Sequence, residues 1–190
     1  MKSEELSLTR RNFLKNSCIL GAGAGLMTAA PSVFAKSMTN KEKVLSFYNI
    51  HTGEKVAAPF WENGEYLKDG IVEISEVLRD HRTGEALPMD EKLFDYLYKL
   101  QQAVGSDKRF EVISGYRSPK SNNLLRKADS KGVAKKSFHM KGQAIDVRLP
   151  GTELANLQNA ARKLRLGGVG YYPKSGFVHL DTGWARSWKG

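Results

Sequence analysis

The chain has 190 residues, one cysteine and a formal net charge of +10 at pH 7. A single cysteine excludes an intramolecular disulfide. Because that residue is Cys18, thiolate chemistry is also excluded from everything after the first segment. A metal ion bound there would depend on histidines and carboxylates.

The first 35 residues have the pattern of an export signal. Arg10 and Arg11 stand directly before Asn-Phe-Leu-Lys, and an uncharged stretch rich in Ala, Gly, Leu and Ile follows over residues 16–34. A Val-Phe-Ala tripeptide then predicts cleavage after Ala35. The pattern resembles a twin-arginine signal. A membrane anchor is the alternative, but the stretch falls short of the ~20 strongly apolar residues that a span needs. Cys18 lacks the preceding sequence of a lipid-anchored protein.

Residues 36–190 are 155 residues, enough for one domain with its own core. They carry 26 lysines and arginines against 18 aspartates and glutamates, a net charge of +8. A basic surplus often indicates nucleic acid binding. An exported protein rarely meets nucleic acid, so the charge is interpreted as general attraction to an anionic polymer.

A β-hairpin is predicted near the start of this domain. Residues 36–42 are expected to form a flexible lead-in, and residues 44–50 then alternate apolar and polar side chains. His-Thr-Gly-Glu at 51–54 predicts the turn, and residues 55–60 continue in extended form. His51 is interpreted as a solvated turn residue.

Two segments have the spacing of amphipathic helices. Asp90 caps the first, which runs to about Val104 and is ended by Gly105. Thr152 is predicted to cap the second. Their apolar faces are Leu93, Phe94, Leu97, Leu100 and Val104 in the first and Leu154, Leu157, Ala161 and Leu164 in the second. A shorter helix is predicted over residues 121–128, whereas residues 70–79 fit a strand or a helix.

Short strands are predicted over residues 109–113 and 144–149, and residues 167–181 read as a strand, a turn at 173–176 and a second strand. Helices and antiparallel hairpins without regular β-α-β alternation indicate an α+β domain. We expect a small antiparallel sheet with helices packed around it.

Three residues form the candidate chemical site: His139, Asp146 and His179. Asp146 lies among apolar residues of a predicted strand, where a charge is costly unless it is paired or bound to a cation. His139 precedes it by seven residues, and His179 lies in the last predicted strand, where alternation places Asp181 on the same face. Two imidazoles and one carboxylate are the ligand count of catalytic zinc. A structural His–Asp pair is the alternative.

The sequence around these residues resembles a known family. Residues 137–146 fit the pattern Ser-x-His-x-x-Gly-x-Ala-x-Asp at all five fixed places. They are similar to the zinc peptidases that include the D-alanyl-D-alanine peptidases, the phage endolysin peptidases and the hedgehog amino-terminal domain. Ser-Gly-Tyr-Arg-Ser-Pro at 114–119, Asn122 and Leu-Arg-Asp-His-Arg-Thr-Gly at 78–84 resemble more specifically the exported, YcbK-like murein endopeptidase branch. The likeness covers about residues 43 to 187.

The resemblance implies a fold and a set of roles. The fold would be hedgehog- and D-Ala-D-Ala-peptidase-like, a zinc peptidase domain over residues 43–190. His139, Asp146 and His179 match the zinc ligands, with one Zn²⁺ per chain, although other divalent ions have similar ligand preferences. Arg117 matches an arginine that holds a substrate carboxylate or stabilises charge on the attacked carbonyl. Its alternative is a surface arginine.

Other residues of the motif are assigned less specific roles. Ser137 either bonds substrate or caps a turn. Tyr116 and Asn122 are interpreted as architectural, and His81 is expected to make a local salt bridge or hydrogen bond and not to serve as a fourth metal ligand. Trp184 and Trp188 are expected to pack the carboxyl terminus onto the core, with stacking on glycan sugars as the alternative.

One position departs from the family pattern. Several branches carry the catalytic carboxylate three residues before the last histidine, where this chain has Gly176. Asp181 is the candidate general base because it shares the face of His179. Its alternatives are orientation of an imidazole or a turn.

The function implied is hydrolysis of peptide cross-links in peptidoglycan by a periplasmic enzyme that has no membrane anchor after signal cleavage and does not bind nucleic acid. Arg117 and Asp181 would be catalytic, with Arg117 and Ser137 contacting substrate. A carboxypeptidase acting on stem peptides and a non-catalytic, zinc-containing wall-binding module are the alternatives. The oligomeric state and the regulators are left open.

Overall fold

The computed structural model describes residues 42–128 and 132–190, which belong to one compact unit that spans residues 39–190. The predicted export signal and lead-in lie outside these residues, except that Glu42 opens the first strand. The strands are β1 (Glu42–Asn49), β2 (Lys55–Glu62), β3 (Glu65–Tyr66), β4 (Phe110–Ser114), β5 (Ala144–Arg148), β6 (Gly168–Tyr172), β7 (Phe177–Asp181) and β8 (Arg186–Lys189). The helices are α1 (Lys68–Val77), α2 (Glu91–Ala103), α3 (Pro119–Ala128) and α4 (Leu154–Leu164), with a 3-10 helix over Phe138–Lys141.

All eight strands form one sheet in the order β3-β2-β1-β4-β5-β7-β6-β8. The α+β class predicted from the sequence is confirmed. The expected small antiparallel sheet is wrong in two respects, because the sheet has eight strands and is mixed. β1 pairs with β4 and β6 pairs with β8 in parallel. The hedgehog-like identity of the fold stays a prediction.

The predicted hairpin is present as β1 and β2, which pair antiparallel. The alternation in β1 buries Leu45 and Phe47, and the alternation in β2 buries Val56, Ala58 and Phe60. In each of the two strands, every second side chain therefore faces the core.

The helices follow the predicted pattern, with one ambiguous segment resolved and one cap corrected. The Asp90 side chain caps α2 by accepting a hydrogen bond from the Lys92 backbone N–H, as expected of an N-cap. The ambiguous segment 70–79 is mostly helical, in α1, with Ile71 and Ile74 buried. The predicted cap of α4 is wrong by one residue, because Glu153 occupies the N-cap position without a side-chain cap bond.

The core lies between one face of the sheet and the helices. Phe94 of α2 packs against Phe47 of β1 and Phe60 of β2, with ring centroids 6.5 and 5.8 Å apart. Val178 and Leu180 of β7 also face this core and are completely buried. Because strand side chains alternate, His179 lies on the opposite face of the sheet.

Two strands were not predicted. β3 has two residues, and β8 is a polar four-residue segment, Arg-Ser-Trp-Lys, whose sequence lacks the apolar alternation of a half-buried strand. β8 forms because it pairs in parallel with β6 at the end of the sheet. Within residues 42–128 and 132–190, no helix is long and apolar enough to cross a membrane.

Truncation of Phe94 to alanine tests the core. We expect Phe94→Ala to lower the free energy of unfolding by about 3–5 kcal/mol, because the fully buried ring contacts two strands and leaves a cavity. Urea unfolding measures the loss. Leu124→Ala is the control, since Leu124 is 53% exposed and its truncation should change stability by less than about 0.5 kcal/mol. Equal losses in both variants would contradict this packing.

Candidate metal centre

Two central strands set the position of the site. β5 and β7 pair antiparallel in a register that places Asp146 directly opposite His179. Directly opposed residues share one face of the sheet, with Cβ atoms about 5 Å apart. The flanking residues Ile145 and Leu180 face the core. This register therefore brings together two side chains that are 33 positions apart in the sequence.

The third residue is supplied by the turn before β5. The Ser137 hydroxyl caps the 3-10 helix by accepting from the His139 backbone N–H at 3.3 Å. Gly142 ends the helix with φ +67°, a left-handed conformation that L side chains rarely adopt. Ala144, fully buried opposite Asp181, then starts β5. Ser137, Gly142 and Ala144 of the motif thus each have a structural role in this turn.

His139, Asp146 and His179 converge on one point. Asp146 Oδ1 lies 2.8 Å from His179 Nδ1 and 3.3 Å from His139 Nε2, and these two nitrogens are 3.2 Å apart. One ligating atom from each residue lies within 4.8 Å of the others. This is the one group of three or more metal-ligating side chains among the described residues.

Hydrogen bonds behind the rings fix which nitrogens face the centre. His139 Nδ1 lies 2.7 Å from the carbonyl oxygen of Gly115, which can only accept, so Nδ1 carries the proton and Nε2 presents its lone pair. His179 Nε2 lies 3.0 Å from Asp181 Oδ2, so Nε2 donates to that carboxylate. Such acceptors are the usual partners of metal-binding imidazoles. The donor set therefore fits a divalent transition metal.

The electrostatics of the centre match this arrangement. Burial lowers the pKa of His139 and favours the neutral ring that a metal requires. Burial alone would raise the pKa of Asp146, but the two imidazoles outweigh it and hold that pKa well below the usual range. Burial also opposes protonation of His179, yet its hydrogen bonds to Asp146 and Asp181 raise its pKa to about 9. Metal binding has to displace the proton from Nδ1.

Asp181 lies behind His179 and is completely buried. Arg186 binds both carboxylate oxygens, at 2.9 and 2.7 Å. The Gly183 backbone N–H donates to Oδ1 at 2.9 Å, while Oδ2 accepts from His179. Burial would raise the pKa of Asp181, but these hydrogen bonds outweigh it and lower the pKa. The placement favours the orienting role that the sequence left as an alternative to general base.

Arg117 lies beside the cluster. Its Nη2 is 3.5 Å from Asp146 Oδ2 and donates to the Ser114 hydroxyl at 3.3 Å. Its backbone N–H donates to the His139 carbonyl at 3.2 Å. The side chain is largely buried, and its buried Nε has no hydrogen-bond partner among the described residues. Because that atom is buried, a substrate would have to meet the exposed part of the side chain.

The other sequence candidates make structural contacts. Ser137 is buried and its hydroxyl caps the turn. Asn122 is buried and donates to the Ala134 carbonyl. The exposed ring of His51 stacks on the ring of His81 at 3.8 Å. Gly176 lies in the β6–β7 turn with φ +72°, where any side chain would be strained. A carboxylate at that position is therefore disfavoured.

Asp80 is a supporting residue that sequence reasoning did not single out. Its buried carboxylate accepts from the backbone N–H groups of Ser118 at 2.8 Å and Arg82 at 2.9 Å. It thereby ties the 78–84 loop to the segment that carries Arg117. The only indication in the sequence is that Asp80 belongs to one of the segments that resemble the murein endopeptidase branch.

Two histidines and a carboxylate that converge on one point, with an acceptor behind each imidazole, are typical of a metal-dependent hydrolase. Comparisons with known proteins agree with this class. The family model Peptidase_M15_2, described as Peptidoglycan L,D-endopeptidase MepK, matches residues 37–188. The chain therefore belongs to the MepK-like murein endopeptidases of the M15 zinc peptidase family, and the resemblance predicted from the sequence is confirmed.

Two relatives are similar over nearly their whole length. The chain is 44% identical to Peptidoglycan L,D-endopeptidase MepK of Escherichia coli strain K12 over 168 residues, which are 88% of this chain and 92% of that protein. It is 42% identical to Probable peptidoglycan L,D-endopeptidase MepK of Haemophilus influenzae over 171 residues, 90% and 91% of the two chains. No solved structure matched the chain significantly.

Asp80→Asn tests the buried hydrogen bonds that join the 78–84 loop to the segment of Arg117. Burial opposes ionisation of Asp80, but the nearby Ser121 hydroxyl and the hydrogen bonds from the backbone N–H groups of Arg82 and Ser118 outweigh it and hold its pKa well below the usual range. We expect Asp80→Asn to lower the free energy of unfolding at pH 7 by about 1–3 kcal/mol. A depressed pKa stabilises the fold above the unfolded-state pKa of about 3.9, and this contribution is lost as the pH falls further.

The measurement is urea unfolding of both proteins between pH 3 and pH 7. The difference between wild type and variant should be constant above about pH 5 and should shrink below about pH 4. Glu73→Gln, at an exposed position of α1, is the control and should show little difference at any pH. A difference that persists unchanged at pH 3 would contradict the role of the charge.

Proposed function

We propose that this chain is a zinc-dependent peptidoglycan L,D-endopeptidase that acts outside the cytoplasm. The observation that carries the proposal is the His139–Asp146–His179 cluster, with its supporting acceptors, in a chain of the MepK-like family. The L,D specificity rests on the names of the relatives. Residues 1–35 would be the twin-arginine signal that directs the enzyme to the periplasm.

The metal would be held by His139 Nε2, His179 Nδ1 and Asp146. Three protein ligands leave a coordination position for water, and bound zinc supplies Lewis acidity and lowers the pKa of that water to about 7. The chain holds both imidazoles in a fixed orientation before a metal binds. The Gly115 carbonyl and Asp181 hold a proton on the outer nitrogen of each imidazole, so that both inner nitrogens face one place, where the metal would replace the proton on Nδ1 of His179.

Arg117 would bind and orient the substrate. Its guanidinium remains charged and stands next to Asp146. A donor fixed beside the reacting carbonyl stabilises the charge that develops on its oxygen. The same group suits a carboxylate of the stem peptide. In either role, the hydrogen bond from the Arg117 backbone N–H to the His139 carbonyl keeps the guanidinium close to the ligands.

Asp181 would orient His179 and not move a proton to or from substrate. Arg186, Gly183 and His179 occupy its oxygens, and its side chain is inaccessible. A general base must reach the proton it abstracts. We therefore assign Asp181 the role of orienting His179. Its predicted role as the general base has less support.

The activity test uses protein comprising residues 36–190, which includes the compact unit with its complete core. We expect about one zinc per chain and release of uncross-linked muropeptides from L,D-cross-linked dimers. His179→Ala removes one ligand and should abolish both properties. Chromatography of the muropeptides and metal analysis of the same samples give the two readouts.

His51→Ala is the matched control, because it removes an exposed imidazole outside the cluster. It should retain zinc and most of the activity. Zinc binding without cleavage of any cross-link would favour a non-catalytic wall-binding module. Release of only terminal residues would favour a carboxypeptidase. No metal binding at all would overturn the proposal.

Asp181→Asn separates orientation from proton transfer. If Asp181 orients His179, the variant should bind zinc about 10–100-fold more weakly and regain most of its turnover at saturating zinc. Zinc affinity is measured by competition with a chelator, and kcat is measured at saturating zinc. A general base would give the opposite result, with unchanged affinity and a kcat lowered by about 10²–10⁴ that zinc does not restore.

Asp95→Asn is the matched control for loss of a partly buried, paired carboxylate. Asp95 bonds Lys43 and Tyr66 on another part of the sheet. Its replacement should leave zinc affinity and kcat unchanged. Unfolding curves of both variants show whether a loss of zinc affinity is merely a loss of fold.

A further inference from the structure

Trp184 is the most exposed of the large apolar side chains described, with 70% of its surface open to solvent. The sequence-based expectation that both carboxyl-terminal tryptophans pack onto the core therefore fails for this one. Trp188 is half-buried, and its indole N–H donates to the Tyr172 hydroxyl at 2.9 Å. The two indoles have different environments and need different explanations.

The exposed indole is held in place by two neighbours. Phe138 meets it edge to face, with ring centroids 6.4 Å apart. The Arg186 guanidinium lies 4.6 Å from the centre of the indole ring and donates through Nη1 to the Trp184 carbonyl at 3.2 Å. Both contacts favour one orientation of the indole. Trp184 is thus a fixed side chain whose main surface is nevertheless unoccupied.

Both neighbours are connected to residues of the candidate metal centre. Phe138 directly precedes His139 in the 3-10 helix. Arg186 is the residue that binds both oxygens of Asp181, which in turn accepts from His179. The surface formed by Trp184, Phe138 and Arg186 is therefore connected to two of the candidate ligands. Phe138 connects it to His139, and Arg186 connects it to His179 through Asp181.

From this placement we infer that Trp184 forms a saccharide subsite, stacking on a pyranose ring of the glycan strand that carries the stem peptide. The inference rests on the proposed function. A pyranose presents a flat face of C–H groups that matches an indole in size, and the negative face of the ring attracts those polarised hydrogens. The stem peptide, with its free carboxylates, is better matched by Arg117. Trp184 would thus favour cross-links that are still attached to glycan.

The kinetic test compares two substrates. One is an L,D-cross-linked dimer that carries its disaccharides, and the other is the same dimer after an amidase has removed them. We expect Trp184→Ala to lower kcat/KM about tenfold for the first substrate, mainly through KM, and to change the second less than twofold. Trp184→Phe should retain much of the preference because it keeps an aromatic face.

A binding test does not depend on cleavage. Peptide-free glycan strands are titrated into ¹⁵N-labelled protein, and the indole N–H resonances are followed, with Trp184→Phe assigning the signal. The Trp184 resonance should shift in proportion to saturation. Trp61, in β2 near the opposite end of the sheet, is the internal control and should not move.

The two measurements separate the failure of this inference from the failure of the proposed function. An enzyme that cuts both dimers while Trp184→Ala affects them equally would overturn the saccharide subsite alone. A Trp184 resonance that does not respond to glycan would overturn it as well. A wild-type protein that cuts neither dimer, yet shows the Trp184 shift, would overturn the endopeptidase and retain the subsite.

Discussion

The carboxylate of Asp146 is buried on a strand whose neighbouring residues form the core, and the surrounding structure compensates for that charge. An isolated buried carboxylate is costly, and the cost is offset only by paired charges, hydrogen bonds or a cation. Here His179 is supplied by the opposite strand, His139 by the preceding turn and Arg117 by the segment after β4. The requirement to compensate one charge explains why three separate segments meet at this point.

The acceptors behind both imidazoles favour a metal site over a simple ion-pair network. Each imidazole donates from its outer nitrogen to an acceptor, the Gly115 carbonyl for His139 and the Asp181 carboxylate for His179. Asp181 is fixed in turn by Arg186 of β8. The geometry of the ligands therefore depends on residues up to the last strand. The same Arg186 also holds Trp184, which couples the metal centre to the surface where we infer that glycan binds.

Much of the fold was predictable because its information is local. The Asp90 cap, the apolar face of α2 and the alternation in β1 each depend on residues close in sequence, and all three are present. The mixed sheet was not predictable, since its parallel pairs join distant segments. β8 shows the same limit, because a short polar strand forms only when its partner β6 is already in place.

The three candidate ligands could be proposed from their motif, because Ser137, Gly142 and Ala144 shape a turn that leads from one ligand to the next. The arrangement of their partners could not. Alternation placed Asp181 on the face of His179, but the sequence did not show that Arg186 would occupy its oxygens. The role of Asp80 likewise depends on a contact 38 residues away.

The most direct test of the preformed centre is anomalous diffraction at the zinc edge from crystals of the zinc-loaded protein. We predict one anomalous peak, bound by Nε2 of His139, Nδ1 of His179 and the carboxylate of Asp146, with Nε2 of His179 still donating to Asp181. A peak elsewhere, or zinc bound through Nε2 of His179, would contradict the assignment of ligand nitrogens and the orienting role of Asp181.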